Sequence, residues 1–131
     1  MRFIRYYFLI FFLSALPLIG VLTTSLLPHT HDGFVHLARI GAYFKALEDG
    51  QIPVRWAGDL NYGYGLPLFN FIYQVPYFIS SIFIFLGLGL VNAFKVTLVL
   101  SFLLSGIFMF GFSLSFFKDL KKALLVTLFY Q

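Results

Sequence analysis

Three long stretches without a single charge, residues 6–27, 60–94 and 96–117, limit what this chain can fold into. The first and third are 22 residues each, and at about 1.5 Å of helical rise per residue each covers roughly 33 Å, one hydrocarbon thickness of a bilayer. The middle stretch is longer than one span and too short for two with a loop, so a single span over 68–88 is expected there. In lipid each backbone polar group must find its partner inside the segment, which a helix provides. Composition agrees: 60% of residues are hydrophobic and only 11% charged, against about a quarter charged in soluble domains. The 19 phenylalanines exceed what a soluble core of this size can bury. The expected fold class is therefore all-α integral membrane, a fragment of a polytopic helical bundle.

The ends of the spans carry their own signals. Arg2 and Arg5 ahead of an apolar run imitate a secretory signal. The run, however, exceeds the roughly 7–15 residues of a signal core, and no cleavage site follows. It reads as a retained signal-anchor helix; Arg2 and Arg5 argue for a cytoplasmic amino terminus, whereas a strict count of Lys and Arg over the other loops disfavours it. Pro17 should kink this span and Pro28 close it. Pro67 suits a first helical turn, whereas Pro76 falls inside 68–88 and should kink or break it. Lys95 reads as a cytoplasmic anchor at the start of the third span. After the short loop of Lys118, Asp119, Lys121 and Lys122, residues 123–131 begin a fourth span too short to cross a bilayer. The expectation is one membrane domain over 1–131 whose carboxy-terminal spans are missing. With no cysteine there is no disulfide or thiolate chemistry. The net charge of +4 comes from few, scattered residues, which argues against nucleic acid as a partner.

Most of the polar chemistry lies in the connection 28–66, expected outside the membrane. Within it Gly33–Glu48 reads as an amphipathic interfacial helix stopped by Gly50 and Pro53. At 100° per residue, Asp32, His36, Arg39 and Tyr43 fall within an arc of about 60°, with Phe34, Leu37, Gly41 and Phe44 opposite. A carboxylate, an imidazole, a guanidinium and a phenol thus share one stripe. Asp32 and His36 are the candidate catalytic pair, and also the candidate ligands should a divalent metal be used. Arg39, Arg55, Tyr43 and Trp56 are candidates for binding substrate. Plainer roles compete with each. Asp32 stands where a helix N-cap belongs, Asp32 and His36 can form a local pair, and Arg39 can reach headgroup phosphates. Trp56, Tyr62 and Tyr64 suit an aromatic belt at the interface. His29 and His31 read as solvated loop residues. Asn70 and Gln74, four apart at membrane depth, are expected to bond another helix.

Three segments carry a family resemblance: His31-Asp-Gly-Phe-Val-His-Leu-Ala-Arg39, Gly50-Gln-Ile-Pro-Val-Arg-Trp56 and Gly63-Tyr-Gly-Leu-Pro-Leu-Phe-Asn-Phe-Ile-Tyr73. Together with the approach to the third span from Leu88 to Lys95, they resemble the bacterial and archaeal membrane proteins labelled 6-pyruvoyl-tetrahydropterin synthase-related. Those proteins belong with the type C (GT-C) polytopic glycosyltransferases. The resemblance covers essentially the whole chain but only the amino-terminal part of the family. It implies transfer of a sugar from a polyprenyl-phosphate carrier to a cell-envelope acceptor by a protein integral to the plasma (inner) membrane, with the amino terminus cytoplasmic and loop 28–66 extracytoplasmic. Asp32 takes the place of the acid at the end of span 1. Many relatives have a second acid beside it, where this chain has Gly33, which favours a lone base or acceptor-orienting carboxylate over a metal ligand. The chemistry asks for such a set independently: a carboxylate for the acceptor proton and a cation for the departing phosphate. The competing expectation is a non-enzymatic membrane protein, such as a transporter or flippase subunit or a scaffold.

Overall fold

The computed structural model describes residues 2–27 and 30–131. Pro28, read above as closing the first span, and His29 lie outside them. The regular structure among the described residues is all helical, with no strand and only an isolated bridge between Ala57 and Leu66. The helices are α1 (Arg2–Ala15), α2 (Ile19–Thr23), α3 (Gly33–Glu48), α4 (Val75–Phe85), α5 (Leu90–Phe117) and α6 (Leu120–Tyr130), with 3-10 turns at Leu16–Leu18 and Leu68–Asn70. Among the described residues two helical stretches are long and apolar enough to cross a membrane, Ile4–Thr23 and Leu90–Phe117.

Pro17 acts as its chemistry requires. It has no N–H to return to the preceding turn, so the first stretch passes through a 3-10 turn there. The middle span is a correction. Residues 68–88 do not form one helix: α4 has 11 residues, about 16 Å of rise, too short to cross. Pro76 sits in the first turn of α4, where its missing N–H costs nothing. It therefore starts the helix instead of breaking one. Gly87, at φ +95°, ends it in a Schellman motif, with Gly87 N–H donating to Ile84 O and Leu88 N–H to Phe83 O. The helix that carries the apolar stretch 96–117 begins earlier than the 96 expected, at Leu90.

The chain divides into two compact units, and the division falls inside α5 between Thr97 and Leu98. One unit comprises the amino-terminal helices, the rest of α5, and α6. Ile10, Phe110 and Ala123 are buried at its centre, with Tyr7 edge-on to Phe110 at 4.9 Å between centroids. Small residues let the helices approach: Ser14, Ser113 and Thr127 are all buried, and a Cβ on Gly106 would press on Ser14 Oγ. The α5–α6 break takes two residues. Lys118 adopts φ +52°, and Asp119 caps α6 by accepting from the N–H groups of Lys121 and Lys122.

The other unit, Ser25–Thr97, carries α3, α4 and the loop between them. Its core gathers Ile40, Tyr43 and Ala46 from α3, Val54, Ala57 and Phe69 from the loop, and Tyr77 and Phe94. Gly50, at φ +82°, ends α3 in the same kind of motif as α4. Its N–H donates to Leu47 O, and that of Gln51 to Ala46 O. The loop then closes on itself through paired bonds between Ala57 and Leu66. Lys95, read as a cytoplasmic anchor at the start of the third span, is 3% exposed.

Candidate functional site

The polar stripe of α3 packs against the start of α4. This is a consequence of Pro76: because α4 begins at Val75, Tyr73 and Gln74 lie just ahead of it and Tyr77 lies in its first turn. Tyr77 is 1% exposed and forms the hub. Its hydroxyl lies 3.3 Å from His36 Nδ1; burial pushes the Tyr77 phenol up from its ordinary value, and the Arg39 guanidinium nearby opposes that rise. Tyr73, mostly exposed, stacks on Tyr77 at 5.6 Å with 18° between planes, and His36 lies 6.1 Å from the one ring and 6.4 Å from the other. Beneath them Ser80 Oγ donates to Pro76 O and meets Thr97 Oγ1 at 2.8 Å, while Ser81 donates to Tyr77 O. These bonds anchor the turn of α4 that presents Tyr77.

One helical turn along α3, Tyr43 donates to Gln74 Oε1 at 3.2 Å, and Gln74 Nε2 donates to Phe69 O. The Tyr43 ring meets Phe69 edge-on at 4.9 Å and lies 6.2 Å from Tyr77. Burial pushes the Tyr43 phenol up from its ordinary value. Next to this bond opens an apolar groove of about 330 Å³, lined by Tyr43, Leu47, Pro53, Val54, Gln74 and Phe78. On another side of α3, Lys45 pairs with Asp59 at 2.9 Å, and this hydrogen bond and charge hold the Lys45 ammonium above its ordinary value.

Of the six candidate residues, His36, Arg39 and Tyr43 come together in this cluster. Asp32 occupies the N-cap position of α3, yet its carboxylate makes no capping bond. It turns instead to His31 Nδ1 at 2.9 Å, both side chains largely exposed. The local Asp32–His36 pair does not form, because His36 Nδ1 faces Tyr77. Arg55 is exposed in the loop. Trp56 is half exposed, its backbone N–H donating to Gln51 Oε1 and its indole lying over Gly65. His31, read as a solvated loop residue, is the partner of Asp32. Gln74 does bond another helix, through Tyr43.

A divalent cation does not fit what is assembled here. Among the described residues no three His, Asp, Glu or Cys side chains converge. The two suggested ligands also point to different partners, and a bound cation needs several donors at one point. The chemistry of the cluster rests on its own groups: a guanidinium, an imidazole and the three phenols of Tyr43, Tyr73 and Tyr77.

Tyr73 and Tyr77 were not among the residues singled out from the sequence. Their signal was present as a first-turn proline followed by a tyrosine four residues after another, but a continuous span over 68–88 placed them in lipid. Comparison with protein-family models, with curated proteins and with solved structures gave no match.

Proposed function

We propose that this chain forms the loop-bearing part of a polytopic membrane glycosyltransferase. It takes a sugar from a polyprenyl-phosphate carrier and passes it to a cell-envelope acceptor. The observation that carries the reading is the cluster of Arg39, His36 and Tyr77 set beside an apolar groove through Tyr43. A phosphate ester of a long hydrocarbon needs such a pairing: charged donors for the headgroup, and apolar walls for the first part of the tail.

In this scheme Arg39 bears on the departing phosphate and lowers the cost of the charge that develops there. Asp32, exposed at the start of the same helix, accepts or orients the acceptor proton. Its bond to His31 holds the carboxylate in place without burying it. The reading also supposes that loop 28–66 faces away from the cytoplasm and that the two long apolar stretches cross the plasma membrane.

The test is a transfer assay with labelled polyprenyl-phosphate sugars, using membranes that carry the complete gene product. Asp32→Asn should remove transfer while leaving protein level and helicity unchanged, since the Asp32 side chain makes no structural bond within α3. Full activity in Asp32→Asn, or no transfer by the natural protein with any such donor, refutes the proposal. The second result would leave a membrane protein whose loop helix serves a non-enzymatic role.

A further inference from the structure

We propose that the outward face of Tyr73 seats a pyranose ring, the sugar lying flat on the phenol ring with its hydroxyls turned to the polar groups at the border. The proposal rests on the sugar-transfer reading above and deepens it, giving the transferred sugar its place on the chain.

The platform is built from below. Tyr77 is 1% exposed and sits in the first turn of α4, its ring against Tyr43 and Phe69 and its backbone oxygen bonded by Ser81. Tyr73 lies on this ring at 5.6 Å with 18° between planes. His36 leans the same way, at 33° to Tyr73 and 31° to Tyr77, so three rings slope together. Tyr73 is nonetheless 59% exposed. One of its faces is taken by Tyr77, so that exposure belongs to the other face and the rim. The next residue keeps the backbone in place: the Gln74 amide accepts from Tyr43 and donates to Phe69 O. A flat surface fixed before anything binds needs little ordering to take a ligand.

What this surface selects follows from its border. Its face of aromatic carbon is edged by the Tyr73 phenol and the half-buried His36 imidazole, and the Arg39 guanidinium lies near Tyr77. A pyranose has the same division, with C–H bonds on its faces and hydroxyls around its edge. The ring hydrogens carry slight positive charge and settle on the negative face of an aromatic ring. Each sugar hydroxyl both donates and accepts, so it pairs with a phenol or with either His36 nitrogen, whichever one holds the proton. A hydrocarbon tail would cover those groups without partners, and the apolar groove beside Tyr43 suits a tail better. A tyrosine anchored in lipid has no need to lie flat on a buried ring.

The experiment uses the full chain in phosphatidylcholine nanodiscs and a panel of methyl glycosides of glucose, galactose, mannose and N-acetylglucosamine. Saturation transfer is read from the aromatic protons of the protein to the sugar. At least one glycoside should take up saturation, and on the C–H protons of one ring face. Tyr73→Ala should weaken that binding about tenfold or more. Tyr73→Phe keeps the face and should hold the affinity within about threefold. With ¹³C-labelled tyrosine, Tyr73→Phe also assigns the Tyr73 ring signal, which the bound glycoside should shift. No transfer to any glycoside, transfer spread evenly over both faces, or equal binding by folded Tyr73→Ala overturns the proposal. So does a Tyr73 signal that headgroup-spin-labelled lipid broadens and no glycoside shifts, which would make Tyr73 a membrane anchor. Tyr73-dependent glycoside binding without sugar transfer by the natural protein would remove the transferase and leave this site standing. Transfer unchanged in Tyr73→Ala would do the reverse.

Discussion

Gly65 and Gly63 offer a controlled pair of substitutions in the loop beside the site. Both have left-handed backbones, at φ +70° and +84°. Replacing either with alanine should cost about 1–2 kcal/mol from the backbone alone. The two differ in what the new methyl group meets. At Gly63 nothing lies within 4 Å, whereas at Gly65 a Cβ would stand 2.8 Å from Trp56 Cε2 and 3.0 Å from Cζ2, with Nε1 nearer still. Carbon atoms at rest sit about 3.5–4.0 Å apart, so the indole must move. Trp56 is 45% exposed, so roughly 100 Å² of its surface is at stake, given a side chain that buries about 150–250 Å² when fully covered. At about 25 cal/mol per Å², complete loss of that cover is worth about 2–3 kcal/mol. With that cover fully lost, Gly65→Ala should therefore cost about 3–5 kcal/mol and Gly63→Ala only its backbone share. Trp56 is the only tryptophan in the sequence, so its emission reports the event directly. A denaturant titration in detergent should show a red-shifted native spectrum and an earlier midpoint for Gly65→Ala, and an unshifted spectrum for Gly63→Ala. Equal midpoints with unchanged emission would refute the packing of Trp56 on Gly65.

Three further outcomes follow from named contacts. Asp119→Ala should destabilise α6 by about 1 kcal/mol, because its carboxylate caps two N–H groups; Asp32→Ala, which loses no cap, should shift the melting of α3 by less than about 0.5 kcal/mol, and hydrogen exchange along each helix checks both. Phe69→Ala should cost about 3–5 kcal/mol in a denaturation midpoint, since it empties a fully buried site against Tyr43 and Tyr77. Stability should fall as pH rises past about 10. Tyr43 and Lys45 both have folded values raised above 10.0 and 10.5, so their contribution is complete below those values and is lost as the pH climbs through the folded ones. Midpoints that stay level from about pH 9 to pH 11 would contradict this.

The residues themselves disclosed α3 in full. Its amphipathic register marks its extent, and Gly50, which takes a left-handed backbone, fixes its carboxy-terminal end by local chemistry. The long apolar stretches at 6–27 and 96–117 were equally legible, because spanning length and absence of charge are properties of a segment alone. The middle stretch was not. Charge-free sequence is compatible with a span or with an aromatic loop followed by a short helix, and Pro76 decides between them only once its place in the turn is known.

The stripe of Asp32, His36, Arg39 and Tyr43 is a matter of helical period, and the sequence determined it without help. Which members work together is decided by the partner across the gap. Tyr77, 41 residues from His36, draws away the imidazole nitrogen that helical spacing alone would have given to Asp32. The reason is physical: periodicity sets the direction in which a side chain leaves its helix, but a hydrogen bond needs a second atom at about 3 Å, and only tertiary packing puts it there.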